Sequence, residues 1–293
     1  MPQLVRQLYY EDKVLEAMEE ADEQGGLNAN DIYAEARVRK DGVQHRINEW
    51  LTVEMIDSEV GHVDLVRNVI REECTRLSER FKWDHREKTL VTILPREVEA
   101  SWMPGRWGYF VDKVPYDKIC LPYHLTEDLN RLAATTRHEF MHDITLNLTA
   151  GHASRWLSEG MSTYVEGYDP RSAVRDFQQG TAEWVSPTLL VGLFNVDNRR
   201  EDRRSDIGHA YAQSNLLVRY LALQGGEPSL ADLLHALGNE SFKESLEIGM
   251  LSRTHVDEAL RKVYHLTEAQ LFRSAGEWVL TRPASGTWTP DLM

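Results

Sequence analysis

The sequence predicts an α+β fold: a few strands and helices, then a mostly helical C-terminal half. Three observations carry this. Buried-looking apolar runs of strand length cluster between residues 89 and 122, bounded by prolines. Elsewhere, and above all from residue 155 onward, apolar residues recur at helical spacing. The chain has 293 residues, 42% apolar and 27% charged, which is enough to bury one large domain or one domain with an appendage.

Residues 3–23 read as one helix, with Leu4, Leu8, Val14, Leu15 and Met18 toward one side. The stretch "GGLNAN" (25–30) breaks it. "ARVRKDGVQHRI" (36–47) reads as a short hairpin turning at "KDG". Residues 1–58 are therefore expected to form an appendage of a helix plus a hairpin, followed by one domain over 59–280 and a loose tail over 281–293. Within the domain a helix is expected at 62–81, where Val63, Val66, Ile70, Cys74 and Leu77 recur at helical spacing. "TLVTILP" (89–95) is a strand stopped by Pro95, and 105–113 and 117–122 are further strands around Pro115. Thr126 is placed to cap the next helix, with Glu127 and Asp128 at its positive end. That helix runs to about 148, a loop spans 149–154, and helices follow at 155–168, about 187–194, 208–224, 229–238, 253–263 and 267–280.

The formal net charge of -14 argues against unspecific binding to nucleic acid or to an anionic membrane surface. The longest apolar run, "TLLVGLF" (188–194), is far too short to span a bilayer. The N-terminus "MPQLVRQLYYEDKVLEAMEE" lacks the apolar core and cleavage site of a secretory signal, so a cytoplasmic location is expected. Cys74 and Cys120 have neither zinc nor redox spacing and read as small buried apolar side chains.

The stretch that carries chemistry is "TTRHEFMHDITL" (135–146). Residues four apart share one face of a helix, so His138 and His142 direct two imidazoles at one point. Zinc accepts neutral imidazole nitrogens and wants about four ligands. Glu139, turned about a quarter of the way round the helix, lies beside such a metal, where it can take a proton from water. A pair of histidines on a solvent-facing helix would need no metal at all. What lifts the motif above coincidence is "RWLSEGMSTYVEGY", where Glu159 follows His142 after sixteen intervening residues. A second helix returning through "TAGHAS" brings Glu159 in as a third, oxygen ligand, and two histidines with one glutamate leave a position open for water.

H-E-x-x-H followed by a glutamate in W-L-x-E-G resembles the gluzincin pattern. "WLSEGMSTYVEG" is similar to the third-ligand helix of aminopeptidase N-type enzymes and of peptidase MA-like domains, and the resemblance extends over about 60–280, including "AYAQSNLLVRYL" (210–221) and 255–279. It implies a zincin-like fold, with a small twisted sheet over the HExxH helix. It implies one zinc per chain on His138, His142 and Glu159, Glu139 as general base, and hydrolysis of a peptide or protein substrate. It also implies an oxyanion donor from the helical half, for which "GHAYAQS" offers Tyr211 and His209. The chain departs from the aminopeptidase pattern in one respect: where those enzymes carry a G-x-M-E-N glutamate for the substrate amine, it reads "MPGRWGYFVDK". An endopeptidase is therefore expected over an aminopeptidase, with the strand "GRWGYF" as an edge for an extended peptide. The rival from another class is a non-catalytic binding module of the same fold, against which retention of Glu139 counts. Glu166 reads as a partner for a ligand histidine or a solvated carboxylate, His152 as an exposed loop residue, 197–206 as a solvated loop, and Trp102 and Trp107 as packing residues or groove lining.

Overall fold

The structure is a computed structural model that describes residues 2–24, 30–84, 88–97, 109–111, 117–194, 204–238 and 251–283. The chain folds into two compact units, Met1–Ser78 with Asp84–Asp143, and Glu79–Trp83 with Ile144–Met293. The α+β class is observed. No described helix is long and apolar enough to cross a membrane.

The first unit is built on a five-stranded sheet in the order β1-β2-β3-β5-β4, with β1 Val43–Arg46, β2 Leu51–Met55, β3 Thr89–Ile93, β4 Tyr109–Val111 and β5 Asp117–Leu121. The three central strands are parallel and the two outer ones antiparallel. Helix α4 (Val63–Phe81) lies between β2 and β3 in the chain, as a parallel pair requires. β3 and β5 are buried at every position, including the polar Thr89, Thr92, Asp117 and Lys118.

Residues 1–58 are not an appendage. Helices α1 (Gln3–Tyr10), α2 (Val14–Glu23) and α3 (Asn30–Asp41) form a core of Val5, Tyr9, Val14, Ala17, Ala21, Ile32 and Ala36. Ala34 of α3 packs with Leu94 and Cys120, and β1 and β2 are two of the five strands. The expected helix 3–23 is two helices, broken where Asp12 adopts φ +54°. The hairpin lies one element later than expected. Residues 36–41 continue α3, and the turn is at Asn48, whose side-chain oxygen accepts the Trp50 and Leu51 N–H groups at 3.0 and 2.7 Å. The expected tail lies outside the described residues from 284 on.

Asp12 breaks the first helix because its carboxylate is drawn into a buried charge network. The Lys118 ammonium on β5 is fully buried, 2.6 Å from Glu35, 3.5 Å from Glu54 and 3.6 Å from Asp12. Arg39 reaches Asp12 at 2.8 Å and Glu54 at 3.1 Å. Tyr9 donates to Glu35 at 2.6 Å and Thr92 to Glu54 at 2.6 Å. Burial pulls Lys118 toward neutrality, but the surrounding negative groups outweigh it and hold the ammonium above its usual range. Cys74 is also fully buried, and desolvation, with Asp143 and Glu73, pushes its thiol well up, as expected for an inert side chain.

The HExxH helix, α5, spans Leu129–Leu148. Its cap is Asp128 rather than Thr126: residues 123–127 form a 3-10 turn, and Asp128 Oδ1 accepts the N–H groups of Asn130 and Arg131 at 3.1 and 3.2 Å. The second unit is helical: α6 Arg155–Glu166, α7 Arg171–Gln179, α8 Pro187–Phe194, α9 Arg204–Gly225, α10 Pro228–Leu237, α11 Leu251–Tyr264 and α12 Glu268–Thr281. Helix α9 packs against α6, α8, α10 and α12. Thr267 caps α12 through a capping box with Gln270. Helix α7 was not anticipated from the sequence.

Lys118→Met removes the ammonium from among three buried carboxylates, of which Arg39 contacts Asp12 and Glu54. The expected loss is about 3–5 kcal/mol, the usual result of deleting one partner of a buried ion pair. Urea unfolding at pH 7 reads it, and a loss under about 1 kcal/mol would mean the network does not hold the N-terminal helices to the sheet.

Candidate metal centre

Three contacts set the rotation of α5 within the first unit. Phe140 stacks on Trp50, with centroids 6.0 Å apart and planes at 24°. Arg137 Nη1 lies 3.2 Å from Glu73 Oε1 on α4. Thr89 Oγ1 on β3 donates to the buried Asp143 carboxylate at 2.6 Å. At about 100° per residue, the centre of the His138–His142 pair is about 180° from Phe140. The side that packs on Trp50 thus turns both imidazoles the other way. Their rings are 5.1 Å apart and half-buried, and Glu139 on the same helix is only 6% exposed.

The chain leaves α5 through residues 149–154. Ala150 and Gly151 take positive φ of 50° and 78°, and the Gly151 N–H donates back to Leu146 O at 2.9 Å. His152, expected to be exposed, is half-buried. Its Nδ1 is 3.3 Å from Leu237 O, and its ring lies 4.7 Å from that of His255, whose pKa is lowered by burial and then by His152.

Helix α6 begins at Arg155 and is buried along most of its length. Trp156, fully buried, donates through Nε1 to Glu268 Oε1 at 2.7 Å and meets Phe272 edge-on. Gly160 lets α9 approach closely: a Cβ there would lie 2.5 Å from Ser214 O. Between these two anchors is Glu159, 2% exposed, with Oε1 2.8 Å from Arg155 Nη2. Ligand atoms of His138, His142 and Glu159 all lie within 4.8 Å of one another. Among the described residues no other group of three or more such side chains is gathered in this way. Two imidazole nitrogens and a buried carboxylate form a donor set of the kind that holds a divalent cation with a position left open.

The two candidate donors from α9 face different ways. His209 Nε2 is 3.2 Å from Asp176 Oδ2 on α7, and its ring lies 5.9 Å from that of Phe177. Tyr211 meets Phe194 edge-on at 5.3 Å. The two residues are about 200° apart on the helix. Tyr211 is one turn before Ser214 and one turn before Asn215, the residues by which α9 meets α6 at Gly160 and Thr163. Glu166 ends α6, and Gly167 closes it at φ +89°. Residues 197–203, Trp102 and Trp107 lie outside the described residues. Sequence reasoning missed Arg155, whose only signal is its i,i+4 spacing to Glu159.

Neither a protein-family model nor a curated protein matches the chain.

Gly160→Ala forces a methyl group onto Ser214 O. A destabilisation of about 1–3 kcal/mol is expected from overpacking, read by chemical denaturation. A variant as stable as the parent would mean α9 yields there, and that Glu159 is not held by this crossing.

Proposed function

We propose that the chain is a zinc metallopeptidase of the gluzincin type, hydrolysing peptide bonds as an endopeptidase, with a zincin-like fold. The observation that carries the reading is the gathering of His138, His142 and Glu159 within 4.8 Å, with the buried Glu139 on the same helix as the histidines. The donor set fits zinc better than calcium or magnesium, which take oxygen ligands almost alone. Zinc, when bound, supplies Lewis-acid polarisation and acidifies water.

The residues of the chain divide the remaining work. His138, His142 and Glu159 hold the ion. The Glu139 carboxylate takes the proton from the attacking water and returns it to the leaving amine nitrogen. Its low exposure limits exchange of that proton with solvent. Tyr211 donates its phenolic hydrogen to the oxygen that gains charge, because it shares the face by which α9 meets α6, whereas His209 is turned to Asp176. β4, the antiparallel edge strand, offers backbone groups to an extended substrate. The coarse class, α+β with a small mixed sheet, fits the proposal, as does contact of α5 with β3 through Asp143.

The test pairs two variants. His142→Ala loses most of the roughly one zinc per chain, read by elemental analysis, because two ligands hold zinc poorly. Glu139→Gln keeps its zinc and loses nearly all cleavage of a peptide library. Full zinc in the first variant, or undiminished cleavage in the second, would overturn the reading.

The donor assignment is tested separately. Tyr211→Phe is expected to lower kcat about a hundred- to a thousandfold with KM little changed, and His209→Ala to leave kcat near the parent value. The reverse pattern, with zinc intact in both, would give the role to His209.

A further inference from the structure

We infer that Arg155 is a positioning residue for the metal centre: it holds the Glu159 carboxylate in the orientation that joins it to His138 and His142, and so sets the affinity for the cation. The inference rests on the metal-centre reading above and deepens it.

Helix electrostatics alone would not place an arginine here. Arg155 is the first residue of α6, where the unpaired N–H groups leave partial positive charge. A cation there is unfavourable, and an acid is the favoured choice. The pair also runs in the poorer direction, with the base at position i and the acid at i+4. Two local preferences are thus overridden at one residue, and such conflicts concentrate where function sets the choice. The partner of Arg155 explains it. Glu159 is a ligand candidate buried to 2%, and the 2.8 Å contact engages Oε1 specifically. A carboxylate free to turn about its last torsion presents either oxygen in any direction. One fixed through Oε1 presents Oε2 in a defined direction.

Two effects of Arg155 on a bound cation oppose each other, and their settings differ. Its charge repels the cation, but the guanidinium end of a side chain that is 58% exposed is screened by water. Its ion pair ends on a carboxylate almost wholly out of water, where the close approach to Oε1 is retained and competition from solvent is weak. Orientation therefore outweighs repulsion, and removing Arg155 weakens binding. Partners that orient metal ligands typically contribute about 10–100-fold in affinity.

The experiment measures zinc affinity by competition with a chromophoric chelator, on the full chain, for the parent, Arg155→Ala, Arg155→Gln and His142→Ala. Arg155→Ala is expected to bind zinc about 10–100-fold more weakly. Arg155→Gln, which keeps a donor without the charge, is expected to recover part of that loss. Zinc bound as tightly or more tightly by Arg155→Ala, while His142→Ala has lost it, overturns the role of Arg155 and leaves the metal centre standing. Equal zinc affinity in the parent and His142→Ala overturns both.

Discussion

A carboxylate at 2% exposure is the constraint around which the helical unit is arranged. The backbone at Glu159 is held out of water because its neighbours on both sides are packed. Trp156 is tied to Glu268 and Phe272, and Gly160 is closed against the backbone of Ser214. An ionised carboxylate held in that position needs a compensating cation or donors nearby. Arg155 meets part of the requirement from the surface, and the two imidazoles of α5 lie within reach. The position of Glu159 thus follows from helix packing: α6 is anchored by its apolar and small residues, with the charged residue between them.

Lys118 shows how the same chain treats a buried charge with no outward role. Its ammonium is enclosed by Glu35, Glu54 and Asp12, and these in turn by Arg39, Tyr9 and Thr92. Its members come from six pieces of the first unit: α1, the α1–α2 turn, α3, β2, β3 and β5. The network is closed, and its effect is to lock the N-terminal helices onto the sheet. The His138–His142–Glu159 set differs in composition. It holds two imidazoles and one carboxylate, each of which can offer a ligand atom.

How much of this was legible depended on where the deciding force acts. Helices α4, α5 and α6 were readable because their apolar spacing and the HExxH and WLxEG stretches are local signals, and β3 and β5 because each carries a short apolar run next to a proline. The proximity of His138, His142 and Glu159 could be anticipated for the same reason, since the three residues lie on consecutive helices. The break at Asp12 was not, because it is imposed by Lys118 and Arg39, more than twenty residues away in the chain. β2 was hidden by Glu54, an acid in the middle of a strand that is buried by partners from elsewhere. Helix α7 buries only Ala173, Val174 and Phe177 in nine residues, too few to establish a period. His152 looked exposed because its partners, Leu237 and His255, come from distant helices.

The spelling W-L-S-E-G can be resolved into separate physical tasks. Trp156 supplies a large buried surface and a directed N–H, which fix the helix against α12. Leu157 is fully buried and adds to the core. Glu159, three residues after Trp156, is turned about 60° from it on the helix, close enough to be held by the same anchor. Gly160 must follow at once, because α9 passes so near that even a methyl group would meet backbone. The close approach in turn brings the Ser214–Asn215 side of α9 against α6, and with it the face that carries Tyr211. The short motif reads as three packing and charge requirements that happen to fall within five residues.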